Sequence, residues 1–492
     1  MPAVNSVINM ENNNFYTTQV LGLFNVAIEL KDNKYKLPLE LLFSVGARIN
    51  KKRRFLFVSK VLGKHIPVTN VNSLLTGALL AYTFLNEYRP PLLAPCKDTS
   101  LYSIKEDRIV DSIINCKNGK ALWKELIENP ISLNEKILFL AFAETATALG
   151  HSIFSCFDNA SFIHTTREDI AGFDNKIVFE EEHSHATSHR VYPLNPEILK
   201  SDSPIVLVDD EISTGRTVLN IIKELDKIHK RKEYVVLSIL DFRSNADIQY
   251  LKEFEKEYSL KVRFISLVSG QFKVNPASGL SDWNDVDKYL ESNLDTISHS
   301  DAYNSKNLEL EIKYIDIDKY FKELIYLPSV NGLGQTNHTP YLKHTGRFGI
   351  SSFDNMNIIP QIHEVSKIVG DKITGERILF LGTEEFMYIP LLISSFIDKE
   401  IYYHSTTRSP IFPSQTSGYP IANRFTFNCP PNPTVANFVY NIPYGFYDEL
   451  YVFFERRFDE SGIDGFIKVI SRLGIKKVTI LYCSGKKGNS NE

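Results

Sequence analysis

The sequence is poor in the features that mark secreted, membrane-inserted and metal-binding proteins. Only five of its 492 residues are cysteines, and they are scattered without CxxC spacing, so we expect reduced and mostly buried thiols. No apolar run approaches the ~20 residues that a membrane helix needs. Residues 1–16 form a polar, Asn-rich leader without the basic and apolar segments of a secretory signal. These absences predict a cytoplasmic protein without a membrane partner.

A charge excess of one sign is also missing. The chain has 55 basic and 59 acidic residues and a formal net charge of -4, whereas nucleic-acid-binding proteins normally carry a basic excess. Its hydrophobic fraction is 43%, which is enough for sizeable buried cores. The length favours two or three domains. We therefore expect a folded multidomain protein that does not bind nucleic acid.

The most informative stretch is residues 204–217, which read PIVLVDDEISTGRT. The apolar run Ile205–Val208 predicts a buried parallel strand, and it ends in the adjacent acids Asp209 and Asp210. A short loop, Ser213–Thr217, and an amphipathic helix over Val218–Ile228 follow. The backbone N–H groups of such a loop and the helix N-terminus can hold a phosphate, while the two carboxylates can accept hydrogen bonds from neighbouring hydroxyls. The stretch therefore predicts a site for a ribose 5-phosphate.

Two other interpretations fit parts of this stretch. The acidic pair could simply open a helix, but helix capping does not also require Thr214, Gly215 and Thr217. A phosphoacceptor receiver domain also ends its first strand in paired acids and needs a further Asp, for which Asp241 is a candidate. A receiver has no use for a phosphate-binding loop, however, and here a full α/β segment precedes the pair. We therefore reject the receiver and favour the sugar-phosphate site.

Strands and helices alternate through much of the chain. Predicted strands cover Lys136–Phe142, Ser161–His164, Tyr234–Asp241 and Lys261–Val268, with helices between them. This alternation predicts an α/β fold with a doubly wound parallel sheet and ligands at the carboxyl ends of its strands. We expect a first domain over residues 1–292 with an N-terminal hood at about 35–70, a connection over 293–345, and a second α/β domain over 346–492.

The second α/β segment repeats the pattern of the first. ILFLAFAE at 137–144 parallels ILFLGTEE at 378–385, and FIHTTRE at 162–168 parallels YHSTTRSP at 403–410. A strand at 450–455 takes the place of the diagnostic strand but lacks an acidic pair. We predict a degenerate duplication. The alternative is two generic α/β units that share short apolar strands, and a different strand order in the two halves would favour it.

The diagnostic stretch resembles the phosphoribosyl-diphosphate (PRPP) motif of type I phosphoribosyltransferases, in which an apolar strand and paired acids precede [ST]-T-G-x-T. The resemblance implies that Asp209 and Asp210 position the ribose hydroxyls and offset positive charge in the transition state. It implies that the 5-phosphate is held by Ser213, Thr214, Gly215, Arg216 and Thr217. It also implies Mg²⁺ that is bound mainly through phosphate oxygens. Glu211 replaces the usual small apolar residue, and it could bind Mg²⁺, act as a base, or be inert.

Pyrophosphate would be bound by residues on earlier segments. Small residues after the strand that ends at Phe142 allow backbone amides to approach oxygens, although an ordinary helix start explains them as well. Basic residues of the hood and after the strand that ends at His164 are further candidates. The full set is Ala143, Glu144, Thr145, Ala146, Arg167, Lys60, Lys64 and His65. The run from Lys51 to Arg54 is expected to be a solvated turn.

The segment from Glu180 to Arg190 is polar and rich in histidine. We interpret it as a mobile lid in which His183 and His185 donate to pyrophosphate or to the transition state. A metal site formed with His189 is the alternative, but no Cys or well-placed Asp completes it. A plain solvated loop is a further alternative.

A possible second site lies near the C-terminus, where Thr406, Thr407, Arg408 and Ser409 could bind another phosphate. Asp459, Glu460, Ser461 and Gly462 follow a predicted strand and could line the same cleft. Helix capping by Ser409 and Pro410 explains the first group without a function.

The chain as a whole resembles the phosphoribosyltransferase-like proteins with a C-terminal TRSP domain that belong to tellurium-resistance (ter) stress gene clusters. The resemblance rests on FLFVSKVLGKHIPV (55–68), FAETATALG (142–150), EEHSHATSHRVYP (181–193), VDDEISTG (208–215) and TRSP (407–410). It implies a Mg²⁺-dependent phosphoribosyltransferase that makes a nucleoside-like metabolite, with ATP-grasp and phosphatase-like proteins as partners. A homodimer is possible. The alternative function is a regulatory module that binds PRPP or a nucleotide without catalysis.

Overall fold

Two mainly parallel β-sheets carry the residues that the sequence marks as functional. The computed structural model describes residues 9–12, 14–50, 53–88, 100–180, 188–278, 280, 282–298 and 310–485. Across the first sheet the strands run in the order Asn9–Asn12, Phe15–Val20, Phe24–Asn33, Lys261–Pro276, Glu233–Asp241, Ile205–Val208, Ile137–Ala141, Ala160–His164 and Ile350–Ser351. Across the second sheet the order is Glu311–Asp316, Lys477–Tyr482, Glu449–Phe454, Ile378–Gly382, Ile401–Ser405 and Val68–Thr69.

The predicted diagnostic strand lies at the centre of the first sheet. Ile205–Val208 pairs in parallel with Ile137–Ala141 on one side and with Glu233–Asp241 on the other. All four of its residues are buried, because a parallel strand that is covered on both faces needs apolar side chains on both. The α/β fold with a parallel sheet and a second C-terminal domain is therefore confirmed.

The N-terminal strands extend the first sheet beyond what the sequence predicts. Phe24–Asn33 runs antiparallel to Lys261–Pro276, and Phe15–Val20 and Asn9–Asn12 follow it to the edge of the sheet. Buried residues alternate with more exposed ones along most of Phe24–Asn33, as expected for a strand with one face against the core. The expectation of a polar leader over residues 1–16 is therefore wrong for residues 9–12 and 15–16, which lie in these strands.

The two sheets have the same strand order. In the first sheet Glu233–Asp241, Ile205–Val208, Ile137–Ala141 and Ala160–His164 are consecutive. In the second sheet the matching strands are Lys477–Tyr482, Glu449–Phe454, Ile378–Gly382 and Ile401–Ser405, also consecutive. The predicted duplication requires this agreement, and the strand order therefore favours it over two generic α/β units.

Each half also contributes one short strand to the sheet of the other half. Val68–Thr69, from the N-terminal hood, pairs antiparallel with Ile401–Ser405 of the second sheet. Ile350–Ser351, from the C-terminal half, pairs antiparallel with Ala160–His164 of the first sheet. Glu311–Asp316, within the range 293–345 that the sequence analysis treats as a connection, pairs with Lys477–Tyr482. The two halves are thus interlocked, and sequence boundaries do not coincide with the edges of the sheets.

Helices and smaller strands complete the two halves. The helices are Leu39–Leu42, Asn70–Tyr88, Ser100–Asn115, Gly119–Glu128, Ala146–Phe154, Arg216–Ile228, Asn245–Tyr258, Trp283–Ser298, Ser352–Asn357, Ile359–Gly370, Tyr388–Ser395 and Asp464–Ser471. Three hairpins pair Phe43–Ala47 with Phe55–Ser59, Ile177–Glu180 with Ser188–Val191, and Arg424–Cys429 with Asn432–Tyr440. Short pairings join Glu211–Ile212 to the strand Glu233–Asp241, Leu324–Ile325 to Tyr341–Leu342, and Ser329–Val330 to both Thr336–Asn337 and Asp169–Ile170. Within the described ranges, no helix has both the length and the apolarity that crossing a membrane requires.

Candidate active site

The paired acids of the diagnostic stretch lie at the carboxyl edge of the first sheet. The N–H of Asp209 donates to the carbonyl oxygen of Leu237 at 3.0 Å, which fixes the chain as it leaves the strand. The N–H of Asp210 donates to Oδ1 of Asp209 at 2.9 Å. Both residues are partly exposed, so their carboxylates can meet a ligand above the sheet. This is the position that the fold reserves for ligands.

The loop after the acids begins the helix Arg216–Ile228. Gly215 has a φ of +79°, a left-handed conformation that glycine adopts without the cost that a Cβ imposes. The buried face of the helix, which includes Ile221 and Ile222, holds this turn against the sheet. Among the described residues, no partner accepts a hydrogen bond from the backbone N–H of Ser213 or Gly215. These groups lie at a helix N-terminus, where anions are favoured.

Arg216 is the member of the predicted phosphate loop that faces outward. It is exposed, and its guanidinium lies 4.7 Å from the ring centre of Tyr250. The other predicted members of the loop are buried or partly buried. A role in phosphate binding is therefore better supported for the backbone N–H groups of Ser213 and Gly215 than for the side chain of Arg216.

Glu211, the unusual third acid, is held by the hood. Its carboxylate forms an ion pair with Arg53, and its backbone pairs with Leu240 in a short strand. Burial raises the pKa of Glu211, although the Arg53 guanidinium acts in the opposite direction. The expectation of a solvated basic turn is wrong for the part of it that is described. Arg53 and Arg54 are mostly buried, and Arg54 forms an ion pair with Asp287 at 2.7 Å.

Glu144 is buried between the two halves instead of facing solvent. Its Oε2 accepts a hydrogen bond from the hydroxyl of Thr407 at 2.7 Å, and its Oε1 accepts from the N–H of Arg408 at 3.2 Å. The guanidinium of Arg167 donates to Oε1 at 3.0 Å. Burial raises the pKa of Glu144, but the positive charges of Arg167, Lys64 and Arg408 outweigh it, so the pKa is lowered. Glu144 is therefore an ionised buried carboxylate.

The rest of the predicted pyrophosphate loop is also enclosed. The residues Ala143, Thr145 and Ala146 are buried. The N–H of Ala143 donates to the hydroxyl of Thr165 at 2.8 Å, so it is not available to a ligand. The prediction that this N–H binds pyrophosphate is wrong, because the side chain of the neighbouring strand already accepts it.

The hood brings one of its three predicted basic residues towards Glu144. The ammonium of Lys64 lies 4.0 Å from Oε2 of Glu144. The ammonium of Lys60 instead donates to the carbonyl oxygen of Glu40 at 2.9 Å. His65 is buried beside Tyr440, and burial, together with Lys64, holds its pKa well below the usual range. His65 is thus a neutral residue of the interface, which its basic neighbours in the sequence did not suggest.

The predicted lid is described only in part, because His183 and His185 lie outside the described residues. Ser188–Val191 is a strand that pairs with Ile177–Glu180. His189 is buried, stacks on Phe179 with ring centres 5.4 Å apart, and its Nδ1 lies 2.9 Å from the hydroxyl of Thr165. His189 therefore belongs to the base of a hairpin and not to a mobile lid.

A second buried glutamate, Glu385, belongs to the second half and is bound by residues of the first half, whereas Glu144 of the first half is bound by residues of the second. Glu385 aligns with Glu144 in the predicted repeat, and the carboxylate of Glu385 accepts hydrogen bonds from the hydroxyl of Thr166 at 2.6 Å and from the N–H of Arg167 at 2.7 Å. Thr166 and Arg167 align with Thr407 and Arg408. Each half therefore binds the glutamate of the other half with its own Thr-Arg pair. We call these four contacts the reciprocal glutamate clamps.

The clamps change the interpretation of the predicted second phosphate site. Thr407 is fully buried, and its hydroxyl is used by Glu144 and by the N–H of Ser409. The carbonyl oxygen of Ser409 accepts a hydrogen bond from the hydroxyl of Tyr440. The prediction that the Thr407 hydroxyl binds a phosphate is therefore wrong, whereas a phosphate contact of the Ser409 hydroxyl stays a prediction. The sequence contained a signal for the clamps, namely the repeated Glu and Thr-Thr-Arg, but no sign that each pair binds the other copy.

Sequence reasoning missed Arg347, which lies at the centre of the interface. Its guanidinium contacts Glu385 at 2.5 Å and Glu455 at 2.6 Å, and it lies 3.5 Å from Glu168. Burial opposes ionisation, but Glu455, Glu168 and Glu385 hold the pKa of Arg347 well above its usual range. Glu455 follows the strand Glu449–Phe454, the counterpart of the diagnostic strand. The strand register places Glu455 at the position of Asp210, and this acid is thus neutralised within the second half.

A cavity of about 720 Å³ lies over the carboxyl ends of the second sheet. Of the predicted second-site residues, Thr406 and Arg408 line it, together with Asp459, Ser461 and Gly462. Residues of the first half, among them Arg167 and Glu168, complete the wall. The paired acids of the first half do not line it. Hence the structure has two separate candidate ligand positions, one at the carboxyl edge of each sheet.

Comparisons with known families agree with the two halves. A phosphoribosyl transferase family model matches residues 42–271. The model of the TRSP domain, which is described as C-terminal to that transferase domain, matches residues 344–470. A search of curated proteins found no match.

Solved structures of phosphoribosyltransferases are also similar to part of the chain. The adenine phosphoribosyl transferase of Trypanosoma brucei is 18% identical, with 32% of this chain and 68% of that chain covered and a TM-score of 0.22. The enzyme of Giardia lamblia is 15% identical, with 32% and 84% covered and a TM-score of 0.21. The enzyme of Leishmania tarentolae is 21% identical, with 32% and 74% covered and a TM-score of 0.22. Values this low carry no information about the substrate of this chain.

Proposed function

The chain belongs to the phosphoribosyl transferases that carry a C-terminal TRSP domain, and from this premise we propose that it transfers a phosphoribosyl group from PRPP to a nitrogenous acceptor. The observation that carries the proposal is the joint placement of Asp209 and Asp210 with the loop Ser213–Thr217. Both lie at the carboxyl edge of the first sheet, next to the N-terminus of one helix. A ribose 5-phosphate presents two hydroxyls and one anion, and this arrangement offers a partner to each.

In the proposed reaction the bond between C1 of the ribose and the pyrophosphate oxygen breaks, and a bond forms between C1 and a nitrogen of the acceptor. Pyrophosphate leaves with the electron pair of the broken bond, and the proton of the acceptor nitrogen passes to an oxygen of the leaving pyrophosphate. The sugar passes through a state with positive charge at its ring. The carboxylates of Asp209 and Asp210 hold the hydroxyls and offset that charge. The backbone N–H groups of Ser213 and Gly215 bind the 5-phosphate.

We propose that Mg²⁺ is needed, because it supplies positive charge for the leaving pyrophosphate. The partly exposed carboxylates of Asp209 and Asp210 are hard oxygen donors of the kind that Mg²⁺ accepts. The carboxylate of Glu211 does not fit this role, because Arg53 already occupies it. Within the described ranges no cluster of three or more His, Cys, Asp or Glu side chains could hold a metal, so the proposal places most of the coordination on phosphate oxygens.

The paired change Asp209→Asn and Asp210→Asn tests the proposal. We expect this variant to lose PRPP-dependent release of pyrophosphate while it keeps the thermal stability of the wild type, because both residues are partly exposed and asparagine has nearly the same shape as aspartate. The matched control is Asp371→Asn with Asp398→Asn, which removes two exposed carboxylates elsewhere. The assay measures pyrophosphate with a panel of purine and pyrimidine bases. Unchanged release in the double variant would contradict the assignment.

The alternative is a module that binds PRPP and regulates a partner without catalysis. One observation favours it, namely that Glu144 contacts Thr407 and Arg408 of the second half. Such a contact can transmit occupancy of one half to the other. Titration calorimetry with PRPP separates the two functions. Tight binding without pyrophosphate release with any base of the panel would favour the regulatory module.

The biological setting is proposed on the resemblance alone. We propose that the product is a nucleoside-like metabolite of a tellurium-stress pathway in the cytoplasm, with ATP-grasp and phosphatase-like proteins as partners. A metabolite screen with the purified protein and PRPP tests the chemical part of this proposal. A product that carries no ribosyl group would contradict it.

A further inference from the structure

The cavity over the second sheet occupies the position that the first half uses for its candidate active site. It is bounded by the chain after Ile378–Gly382, after Ile401–Ser405 and after Glu449–Phe454. The matching strands of the first half carry the loop of Glu144, Arg167 and the paired acids. The second half has therefore kept a cleft at the ligand-binding edge of its sheet, and the residues around it show what the cleft can bind.

The charged groups that would bind a phosphorylated sugar are used within the protein. Six arginines line the cavity, and each lies within 3.8 Å of a carboxylate, in the pairs Arg167–Glu144, Arg190–Asp169, Arg347–Glu385, Arg408–Glu384, Arg456–Glu168 and Arg457–Asp316. An anionic ligand would have to compete with these carboxylates, most of which are shielded from solvent. The strand register places Phe454 and Glu455 at the positions of Asp209 and Asp210, and Arg456 follows them. Glu455 binds Arg347, and Arg456 binds Glu168.

The position of the phosphate is filled by a side chain of the protein. In the loop after Glu449–Phe454, the carboxylate of Asp459 accepts a hydrogen bond from the N–H of Ser461 at 3.0 Å. The N–H of Gly462 donates to the carbonyl oxygen of Asp459 at 3.3 Å. A Cβ at Gly462 would lie 2.4 Å from the carbonyl oxygen of Pro430, so the neighbouring hairpin closes on this loop. In contrast to Ser213 and Gly215, these N–H groups already have acceptors, and one of these acceptors is an anion.

The groups that remain are suited to an uncharged polar ligand. Asn437 lines the cavity and is only 1% exposed. Its amide N–H donates to Glu384 at 2.9 Å, while its Oδ1 has no hydrogen-bond partner among the described residues. A buried acceptor without a partner is costly, and a ligand N–H or O–H would satisfy it. Phe386, Phe427 and Phe458 contribute apolar wall to the same cavity.

The backbone at Glu384 is a further sign of a specialised site. Glu384 has a φ of +50°, a conformation that costs a residue with a Cβ roughly 1 kcal/mol or more and that is often found at ligand sites. Its carboxylate is held by Arg408 at 2.5 Å and by Asn437. Glu384 thereby fixes the side-chain amide of Asn437, a residue of the cavity wall.

We propose that this cavity binds an uncharged nucleoside, with the base against the phenylalanine wall and an N–H or O–H group on Asn437. Its volume lies in the range of small-molecule sites, roughly 300–1,000 Å³, and its mixture of polar and aromatic residues matches a hydroxylated sugar that carries a planar base. The inference goes beyond the proposed transferase activity and does not rest on it, because neither the paired acids Asp209 and Asp210 nor the loop Ser213–Thr217 lines the cavity.

Titration calorimetry on the full chain that carries Asp209→Asn and Asp210→Asn tests the proposal, since these changes remove the first site as a competitor. The probes are adenosine, guanosine, cytidine, uridine and AMP. We expect at least one nucleoside to bind, and AMP to bind at least tenfold more weakly than adenosine if adenosine is the one that binds. Ser461→Phe fills the mouth of the cavity from an exposed position and should weaken binding at least tenfold.

Two further variants make the result specific. Asn437→Ala should also weaken binding about tenfold, which corresponds to the ~1.4 kcal/mol expected for one hydrogen bond. Ser471→Phe is the control, because it makes the same change at an exposed position outside the cavity and should leave binding unchanged. The proposal is overturned if no nucleoside binds at millimolar concentration, if AMP binds as tightly as the nucleoside, or if Ser461→Phe has no effect. Loss of PRPP binding in the same background reports only on the first site.

Discussion

The reciprocal glutamate clamps lead to a quantitative prediction about how much these hydrogen bonds between the two halves stabilise the protein. Thr407→Val keeps the shape of the side chain but removes the hydroxyl that donates to Oε2 of Glu144 at 2.7 Å. Two other donors lie near Oε2, the N–H of Arg408 at 3.4 Å and the ammonium of Lys64 at 4.0 Å. Neither replaces the lost bond. A hydrogen bond to an ionised group contributes about 1.5–3 kcal/mol, so we expect the free energy of unfolding in urea to fall by about 2–3 kcal/mol.

A double-mutant cycle isolates this contact. Glu144→Gln is combined with Thr407→Val, and the interaction energy is the difference between the double change and the sum of the single changes. We expect about 1.5 kcal/mol or more, because the carboxylate and the hydroxyl are in direct contact and shielded from solvent. Thr426→Val is the control, since Thr426 is exposed on a strand of the same half and should change stability by less than about 0.5 kcal/mol.

The mirror variant tests whether the two clamps are equivalent. Thr166→Val removes the hydroxyl that donates to Glu385 at 2.6 Å and accepts from Arg347 at 2.8 Å. Its cost should be at least as large as that of Thr407→Val. If the cycle at Glu144 gives additive energies within about 0.5 kcal/mol, the clamp does not stabilise the interface and the reasoning is refuted.

Two further predictions concern buried groups and close packing. Burial lowers the pKa of His151 and His164 to about 3 and that of His404 to about 4, so the unfolded chain takes up protons below about pH 6.5 while the folded chain does not. Each histidine should therefore lower the free energy of unfolding at pH 5 by about 2 kcal/mol, and all three together by about 6 kcal/mol. The effect is measured as the difference between the free energies of urea unfolding at pH 7 and at pH 5. Equal stability at the two pH values would contradict the burial of these histidines. A Cβ at Gly150 would lie 2.5 Å from the Cβ of Ala141. Gly150→Ala should therefore lower the free energy of unfolding by about 1–3 kcal/mol or more. A melting temperature equal to that of the wild type would instead show that the helix can move away from the sheet.

The sequence determined the local part of the candidate site. The run Ile205–Val208, the acids after it and the loop around Gly215 follow one another in the chain, and each is specified by its own residue types. A β-branched apolar run favours a buried strand, and a glycine before an amphipathic helix allows the turn. The predicted bounds of these elements therefore agree closely with those observed, and the repeated strand order was visible in the spacing of the apolar runs.

Only the tertiary structure decided what the polar residues that recur in both copies of the repeat do. Glu144 and Thr407 are 263 residues apart, and nothing in the local sequence of either one names the other. Their contact depends on how two sheets meet, on the strands that the halves exchange, and on Arg347, whose neighbours in the sequence gave no sign of its three acidic partners. The chain thus encodes each half through short-range patterns, whereas the roles of its buried charges are fixed by packing, because a charge that loses water must find its partner wherever the fold places one.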